Sequence, residues 1–326
     1  MVQNSQQSQF QSLNAGYNNV FKLNSLSIGL VVPIESYPSQ NSPTMVDHLA
    51  RVQLAEKLGF AAVWLRDVPF NVPSFGDAGQ LFDPFTYLGF LAAQTSTIAL
   101  GVASIVLPLR HPAHVAKSAA SVDVLSKGRL LMGVASGDRP QEYPAMQLGY
   151  ENRGHRFAQS VEYIRQMQSS NPVFKNDYGQ FNGEIDMLPK AKSGKLPLLI
   201  TGQSQQSDAW IAEHADGRMF YPHKVELQQQ LINNWQQQLA VIGRGPQPVM
   251  QPLYFDLANN GEAPSSLHLG FRASIEYLVN YLMQLQHAGV NHVALNLRFN
   301  QGDITHTLYQ LAEHVLPHFN RNNHYE

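Results

Sequence analysis

Between Leu100 and Asp138 the chain reads LGVASIVLPLRHPAHVAKSAASVDVLSKGRLLMGVASGD: an apolar run, a helical pattern and a second apolar run in immediate succession. The first run, Ile98 to Leu107, is β-branched and suited to a parallel strand buried on both faces. His111-Pro112 then sets proline at a first helical position, where no amide hydrogen is needed. Apolar residues recur at Val115, Ala119, Val122 and Leu125, and Lys127-Gly128 supplies the left-handed stop before Leu130 to Val134 turns apolar again. The stretch is one complete βαβ unit. Its second strand ends in Ala135-Ser136-Gly137, small enough for a ligand to approach the backbone.

The same alternation extends along the chain. Strands are expected at Ser27–Val32, Ala61–Arg66, Ile98–Ser104, Arg129–Val134, Leu196–Thr201, Gly217–Tyr221, Val249–Asp256 and His292–Leu297. Helices are expected at Met45–Leu58, Pro84–Gln94, Pro112–Leu125, His155–Gln168, Ser204–His214, Val225–Val241, Arg272–His287 and Ile304–His318. Strict alternation argues for a parallel sheet, and eight units argue for closure into a (β/α)8 TIM barrel. An open doubly wound sheet would carry a glycine-rich turn after its first strand, and Pro33-Ile34-Glu35-Ser36-Tyr37 has no glycine. The domain reading is a polar extension over residues 1–26 followed by one barrel domain over 27–326. Asn171 to Lys195, an insertion before the fifth strand, is too long for a simple connection and reads as a small hairpin or lid. Val68 to Asp83, with Pro69, Pro73, Gly76 and Gly79, reads as a substrate-facing loop.

Composition removes several function classes. A formal charge of −2 and a charged fraction of 14% give no basic field for nucleic acid or anionic membranes. The absence of cysteine excludes disulfides, thiolate metal sites and a cysteine nucleophile. The leader is rich in Gln, Asn and Ser without a basic start or apolar core, so the expected location is the cytoplasm.

In a barrel the chemistry gathers at the carboxyl ends of the strands. Those ends supply Glu35, Asp67, Ser104, Ala135-Ser136-Gly137, Gly202-Gln203-Ser204, His223, Asp256 and Arg298. Thr201-Gly202-Gln203-Ser204 before a helix reads either as an N-cap or as an anion site where free backbone amides converge. Arg153 and Arg156, at the start of the preceding helix, are the candidate cations for such an anion. His223, in FYPHK, is a candidate proton donor or acceptor or a surface residue. His111 and His114 read as capping residues, and His155 lies within reach of an anion beside the arginines. Trp64, Tyr143 and Phe220 are candidates for pocket wall or for core.

The ordered combination of VLPLRHP, the helix end DVLSKGR and the small-residue strand end resembles the bacterial luciferase-like family of flavin-dependent monooxygenases. The resemblance implies a luciferase-like barrel that binds FMN, with the flavin phosphate at Thr201–Ser204 and at Arg156, which matches the family's phosphate-binding arginine. It further implies a bulged third strand with a cis peptide at Ala103–Ser104 against the flavin ring. Trp64-Leu65-Arg66-Asp67-Val68-Pro69 departs from the luciferases proper: the acid survives as Asp67, placed near the ring, but the two histidines after it are absent. Ser136 stands where the luciferases have an arginine. The implied activity is therefore not light emission. It is two-component monooxygenation, with a separate reductase supplying reduced FMN and the barrel combining it with dioxygen and a small organic substrate. Pairing into a homodimer through Pro84–Gln94, with Phe85, Leu88, Phe90 and Leu91, is also expected. Two other readings stay open: a deazaflavin-dependent reductase on the same barrel, and a metal-dependent hydrolase using Glu35, Asp67, His223 and Asp256, although no H-x-H pair occurs.

Overall fold

Side chains alternate between two cores along every barrel strand. The computed structural model describes residues 9–75, 78–259 and 261–319, so Gly76 and residues 1–8 of the leader lie outside the described residues. Eight parallel strands among the described residues close into a barrel. They are β1 (Ser27–Val31), β2 (Ala62–Leu65), β3 (Ala99–Val106), β4 (Leu130–Ala135), β5 (Leu198–Thr201), β6 (Gly217–Met219), β7 (Val249–Leu257) and β8 (His292–Asn296). Closure comes from β8, which pairs with both β7 and β1, and from the β6–β7 pairing. The outer helices are α1 (His48–Leu58), α2 (Pro84–Gln94), α3 (Pro112–Leu125), α4 (Arg153–Gln166), α5 (Asp208–His214), α6 (Val225–Val241), α7 (Ile275–His287) and α8 (Ile304–His314). The (β/α)8 barrel expected from the alternation is the fold observed.

Outward positions such as Val63, Leu65, Leu100, Val102, Met132 and Val134 pack under the helices. Fully burying an aliphatic side chain of this size contributes about 1.5–3 kcal/mol. Inward positions are smaller, and Ala62, Ala99 and Ala294 share the barrel interior with Trp64, Met219 and Met250. Trp64 takes the space that Gly101 leaves: a Cβ on Gly101 would sit 2.3 Å from the indole ring. The indole Nε1 donates to His292 Nε2 at 2.8 Å. His292 Nδ1 lies 2.7 Å from Ser27 Oγ, whose own hydrogen goes to the Val20 carbonyl, so the ring proton belongs on Nδ1. Burial holds the His292 pKa down at about 3.

The leader is more than a polar extension. Asn14 caps a helix over Ala15–Val20 and donates to Asp123 and to the Leu130 carbonyl, while Tyr17 donates to the Asp216 carbonyl. Tyr17, Val20 and Phe21 are buried with the inner core, so this segment seals the amino-terminal end of the barrel. The arginine of the G-R-L signature has a structural task at the same end. Arg129 is buried and donates to Ala92 O, Thr95 O, Thr95 Oγ1, Ile98 O and Ser126 O, fastening the end of α2 to the start of β4.

The insertion before β5 is a hairpin of Val173–Asn176 with Gly179–Asn182, as expected. A second hairpin, Ser265–Leu267 with Gly270–Ala273, has no counterpart in the sequence reading; its second strand runs parallel to Tyr254–Leu257 at the end of β7. Arg272 therefore lies in a strand, and α7 starts at Ile275 behind the N-cap Ser274 rather than at Arg272. Likewise α5 starts at Asp208 behind Ser207, not at Ser204, because Ser204 and Gln205 take left-handed φ values of 45° and 61°.

Candidate active site

A cavity of about 600 Å³ opens at the carboxyl-terminal mouth of the barrel. Trp64, Met219, Met250 and Ala294 line its deep part, and Ala103, Ser104, Ala135, Ser136 and Gly137 contribute a wall with little side chain. The shape of that wall comes from a slip in register. Val102 pairs with Met132 but Ile105 with Val134, so β3 carries one extra residue, and the Ala103–Ser104 peptide within the bulge is cis. Gly133 makes the bulge possible, since a Cβ there would meet the Val102 carbonyl at 2.4 Å and the Met219 sulfur at 2.7 Å. Ser104 Oγ hydrogen-bonds to Thr201 Oγ1, tying the bulge to the end of β5.

After β5 the chain turns through Gly202 (φ 54°), Gln203, Ser204 and Gln205, all of which line the cavity. The amides of Gln203, Ser204 and Gln205 have no protein acceptor among the described residues, whereas Gly202 N–H donates to the Met219 carbonyl at 2.9 Å. Free amides on a turn with left-handed residues form a concave site for an anion. The first turn of α4 packs on this loop. Gln206 Nε2 donates to the Gly154 carbonyl at 2.7 Å, and a Cβ on Gly154 would press on Gln205 at 2.7 Å. Arg153 enters the cavity there, its guanidinium 3.7 Å from the Tyr150 ring centre and its buried Nε without a partner among the described residues.

A second polar group gathers around Tyr221. Burial raises the pKa of its phenol, the nearby Asp138 carboxylate adds to the rise, and Arg66 and Arg139 oppose it. Tyr254 and His268 also line the cavity, with ring centres 5.7 Å apart. Burial likewise pushes the Glu142 carboxyl up, against the opposing pull of Arg139 with a nitrogen 3.8 Å away. Tyr254 and Asn296 extend the inward series of β7 and β8 after Pro252 and Ala294, a period of two that the sequence already carries. His268 stands on the unexpected second hairpin and has no such signal.

Among the cofactor-site residues expected from sequence, Ala103, Ser104, Ala135, Ser136, Arg153, Thr201, Gly202, Gln203 and Ser204 share the cavity. Arg156 does not line it. Its guanidinium donates to the Pro108 carbonyl at 3.1 and 3.3 Å and lies 5.6 Å from the Tyr178 ring centre. Asp67 lines the cavity, but its carboxylate is engaged: Arg110 grips both oxygens at 2.7 and 3.0 Å, and Val106 N–H donates at 3.1 Å. His223 is exposed and stands outside the cavity wall. His155 pairs with Asp177 of the first hairpin at 2.7 Å, and His111 caps α3 through the Ala113 amide. Phe220 lines the cavity beside Trp64, whereas Tyr143 is core and donates to the Ser136 carbonyl.

The four groups proposed for a metal do not meet. Glu35 accepts from Thr44 and Met45, and Asp256 is held by Arg272 at 2.7 Å and the Gln301 amide at 2.9 Å. Neither lines the cavity with Asp67, and among the described residues no group of three or more His, Cys, Asp or Glu is arranged to hold a metal ion. No helix among the described residues is long and apolar enough to cross a membrane.

The chain is similar to several known proteins. The chain is 31% identical over 162 residues to the oxygenase component of the flavin-dependent trigonelline monooxygenase of Acinetobacter baylyi, covering 49% of this chain and 41% of that protein. It is 31% identical over 208 residues to the pyrimidine monooxygenase RutA of a Bradyrhizobium species, covering 59% and 56%. The chain thus spans about half the length of the curated relatives it matches. Among solved structures, the monooxygenase RslO1 of Streptomyces bottropensis superposes with a TM-score of 0.75 at 20% identity over 90% of this chain and 99% of that one. An F420-dependent secondary alcohol dehydrogenase gives 0.73 at 17% identity, over 90% and 98%. Both share the fold. The profile of the luciferase-like monooxygenases matches residues 26–310, and the chain belongs to that family.

Proposed function

We propose that this protein is the oxygenase of a two-component system: it takes reduced FMN from a separate flavin reductase and uses dioxygen to oxidise a small organic substrate. The observation that carries the reading is the union, in one cavity, of a thin-walled slot at Ala103–Ser104 and Ala135–Gly137 with the anion-binding turn Gly202–Gln205 and Arg153. A volume of about 600 Å³ suits a flavin with a small substrate, since ligand sites commonly measure about 300–1,000 Å³. The buried, unpartnered Nε of Arg153 and the free loop amides fit a phosphate monoester.

Bound reduced flavin would supply the electrons and activate dioxygen, so the protein's own tasks are to bind, orient, exclude water and handle protons. Arg153 and the loop amides would hold the phosphate, and the bulge, Ala135 and Trp64 would form the wall and floor on which the flavin is oriented. Asp67 acts through Arg110 to fix the wall. Proton transfer falls to groups that line the cavity, and Tyr221, a phenol that is protonated and can donate at neutral pH, is the leading one. His223 has no part in it. Tyr221→Phe is expected to lower kcat about tenfold or more while leaving FMN affinity within about twofold; unchanged kcat in steady-state assays would remove Tyr221.

A cytoplasmic setting goes with this chemistry, because reduced flavin is short-lived outside reach of its reductase. Pairing of two copies through the outer edge of α2 completes the reading: Phe85, Leu88 and Leu91 are buried in the core, but Phe90 is 43% exposed beside Phe82, also 43% exposed. Sedimentation equilibrium should give a dimer at micromolar protein, and a monomer would contradict it. The cofactor is tested by anaerobic titration with oxidised FMN, reduced FMN and the F420 deazaflavin. Preference for reduced FMN supports the proposal. Binding of F420 with neither form of FMN bound would instead assign the chain to the reductase branch, which similarity to an F420-dependent hydroxymycolic acid dehydrogenase keeps in play at 29% identity over 181 residues.

A further inference from the structure

Arg218 is the buried charge that the site as described leaves without a task. It sits on β6 at 3% exposure, facing outward from the barrel, with its guanidinium 4.8 and 5.4 Å from the ring centres of Phe220 and Trp235. One nitrogen, NH2, donates to the Gly202 carbonyl at 2.9 Å and to Gln203 Oε1 at 3.2 Å, and NH1 lies 3.5 Å from the Asp208 carboxylate. Gln203 is held in turn, its Nε2 donating to Asp208 at 3.1 Å. Arg218 therefore grips the anion-binding turn from behind.

The peptide plane converts that grip into a direction. In a trans peptide the carbonyl and the following N–H point opposite ways. Arg218 draws the Gly202 carbonyl away from the cavity, so the Gln203 N–H is turned toward it. The Gly202 N–H, which belongs to the preceding peptide, donates to the Met219 carbonyl at 2.9 Å, so the turn is anchored on both sides of Gly202. Carrying an arginine into this layer is costly: burial lowers its pKa, and its Nε finds no partner among the described residues. Packing between β6 and α6 alone would be served by a methionine.

We propose that Arg218 is a positioning residue that presets the Gly202–Gln205 turn for the phosphate monoester of the flavin and thereby sets the preference for FMN over riboflavin. The inference rests on the reading of this turn as the phosphate site. It is tested by titrating wild type, Arg218→Lys and Arg218→Met with FMN and with riboflavin, which differ only in the phosphate. The expected result is a loss of about tenfold in FMN affinity in both variants with riboflavin affinity unchanged within about twofold, so that the FMN/riboflavin ratio collapses. Lysine keeps the charge and stem but not the fork, and it decides the matter if the methionine variant does not fold. Variants that keep the wild-type ratio, whether both affinities hold or both fall together, would overturn the inference and leave Arg218 a structural residue. A wild-type protein that binds riboflavin as tightly as FMN would overturn the phosphate reading itself.

Discussion

Arg153 and Arg156 stand three residues apart on α4, yet only the first faces the cavity; the second is held by the Pro108 carbonyl. Arg153→Ala should weaken FMN binding by about 2 kcal/mol, roughly 30-fold, as expected for a lost charge-assisted contact, and Arg156→Ala by less than about threefold. Fluorescence titration of both variants checks the pair, and the reverse order would return the phosphate to Arg156. Position at strand and helix ends pointed to the arginine pair and the turn, whereas the bulge came only from the family resemblance, since small residues at Ala103 and Ser104 carry no signal of it by themselves. Sequence pattern could not assign which arginine faces inward, since both lie in the same helical turn. It singled out His223 and did not consider His268, which only contact between distant segments brings over β7.

Strands were more legible than helix starts. Buried parallel strands announce themselves as continuous apolar runs, and each expected strand overlaps the observed one. The start of α5 misleads because Ser204 resembles an N-cap, while its hydroxyl in fact donates backward to the Thr201 carbonyl at 2.8 Å. The hairpin Ser265–Ala273 lacks an apolar run altogether. At this scale Asp67 is a latch between β2 and the end of β3, and Arg110 extends it to Asp83 at 3.0 Å. Asp67→Asn should destabilise the fold by about 1–2 kcal/mol in urea unfolding, because the guanidinium loses the buried one of its two carboxylate partners and keeps only Asp83. A change below about 0.5 kcal/mol would mean that the latch is dispensable.

For the whole molecule, the barrel followed from eight alternations, but the seal at its amino-terminal end did not. Polar composition masks Tyr17, Val20 and Phe21, whose i, i+3, i+4 spacing was the available signal. The floor that they cover governs acid stability. His292 stays neutral in the folded chain down to about pH 3, whereas an unfolded chain takes up the proton near 6.5. Between those values the unfolded state binds more protons, so stability is full above about pH 6.5 and falls on acidification, by at most about 1.4 kcal/mol per pH unit. The pair of Asp216 with Arg165 and Lys195 acts lower, since its depressed pKa delays loss until the pH passes below the ordinary carboxylate range. His292→Gln should flatten the slope between pH 6.5 and 4 in urea midpoints, and an unchanged slope would remove His292 as its source. A crystal structure of the protein with FMN would establish whether the cavity at the mouth of the barrel holds the flavin by its phosphate. The phosphate is expected on the Gly202–Gln205 amides and Arg153, with the ring against Ala103–Ser104; FMN bound with its phosphate away from that turn would refute this assignment.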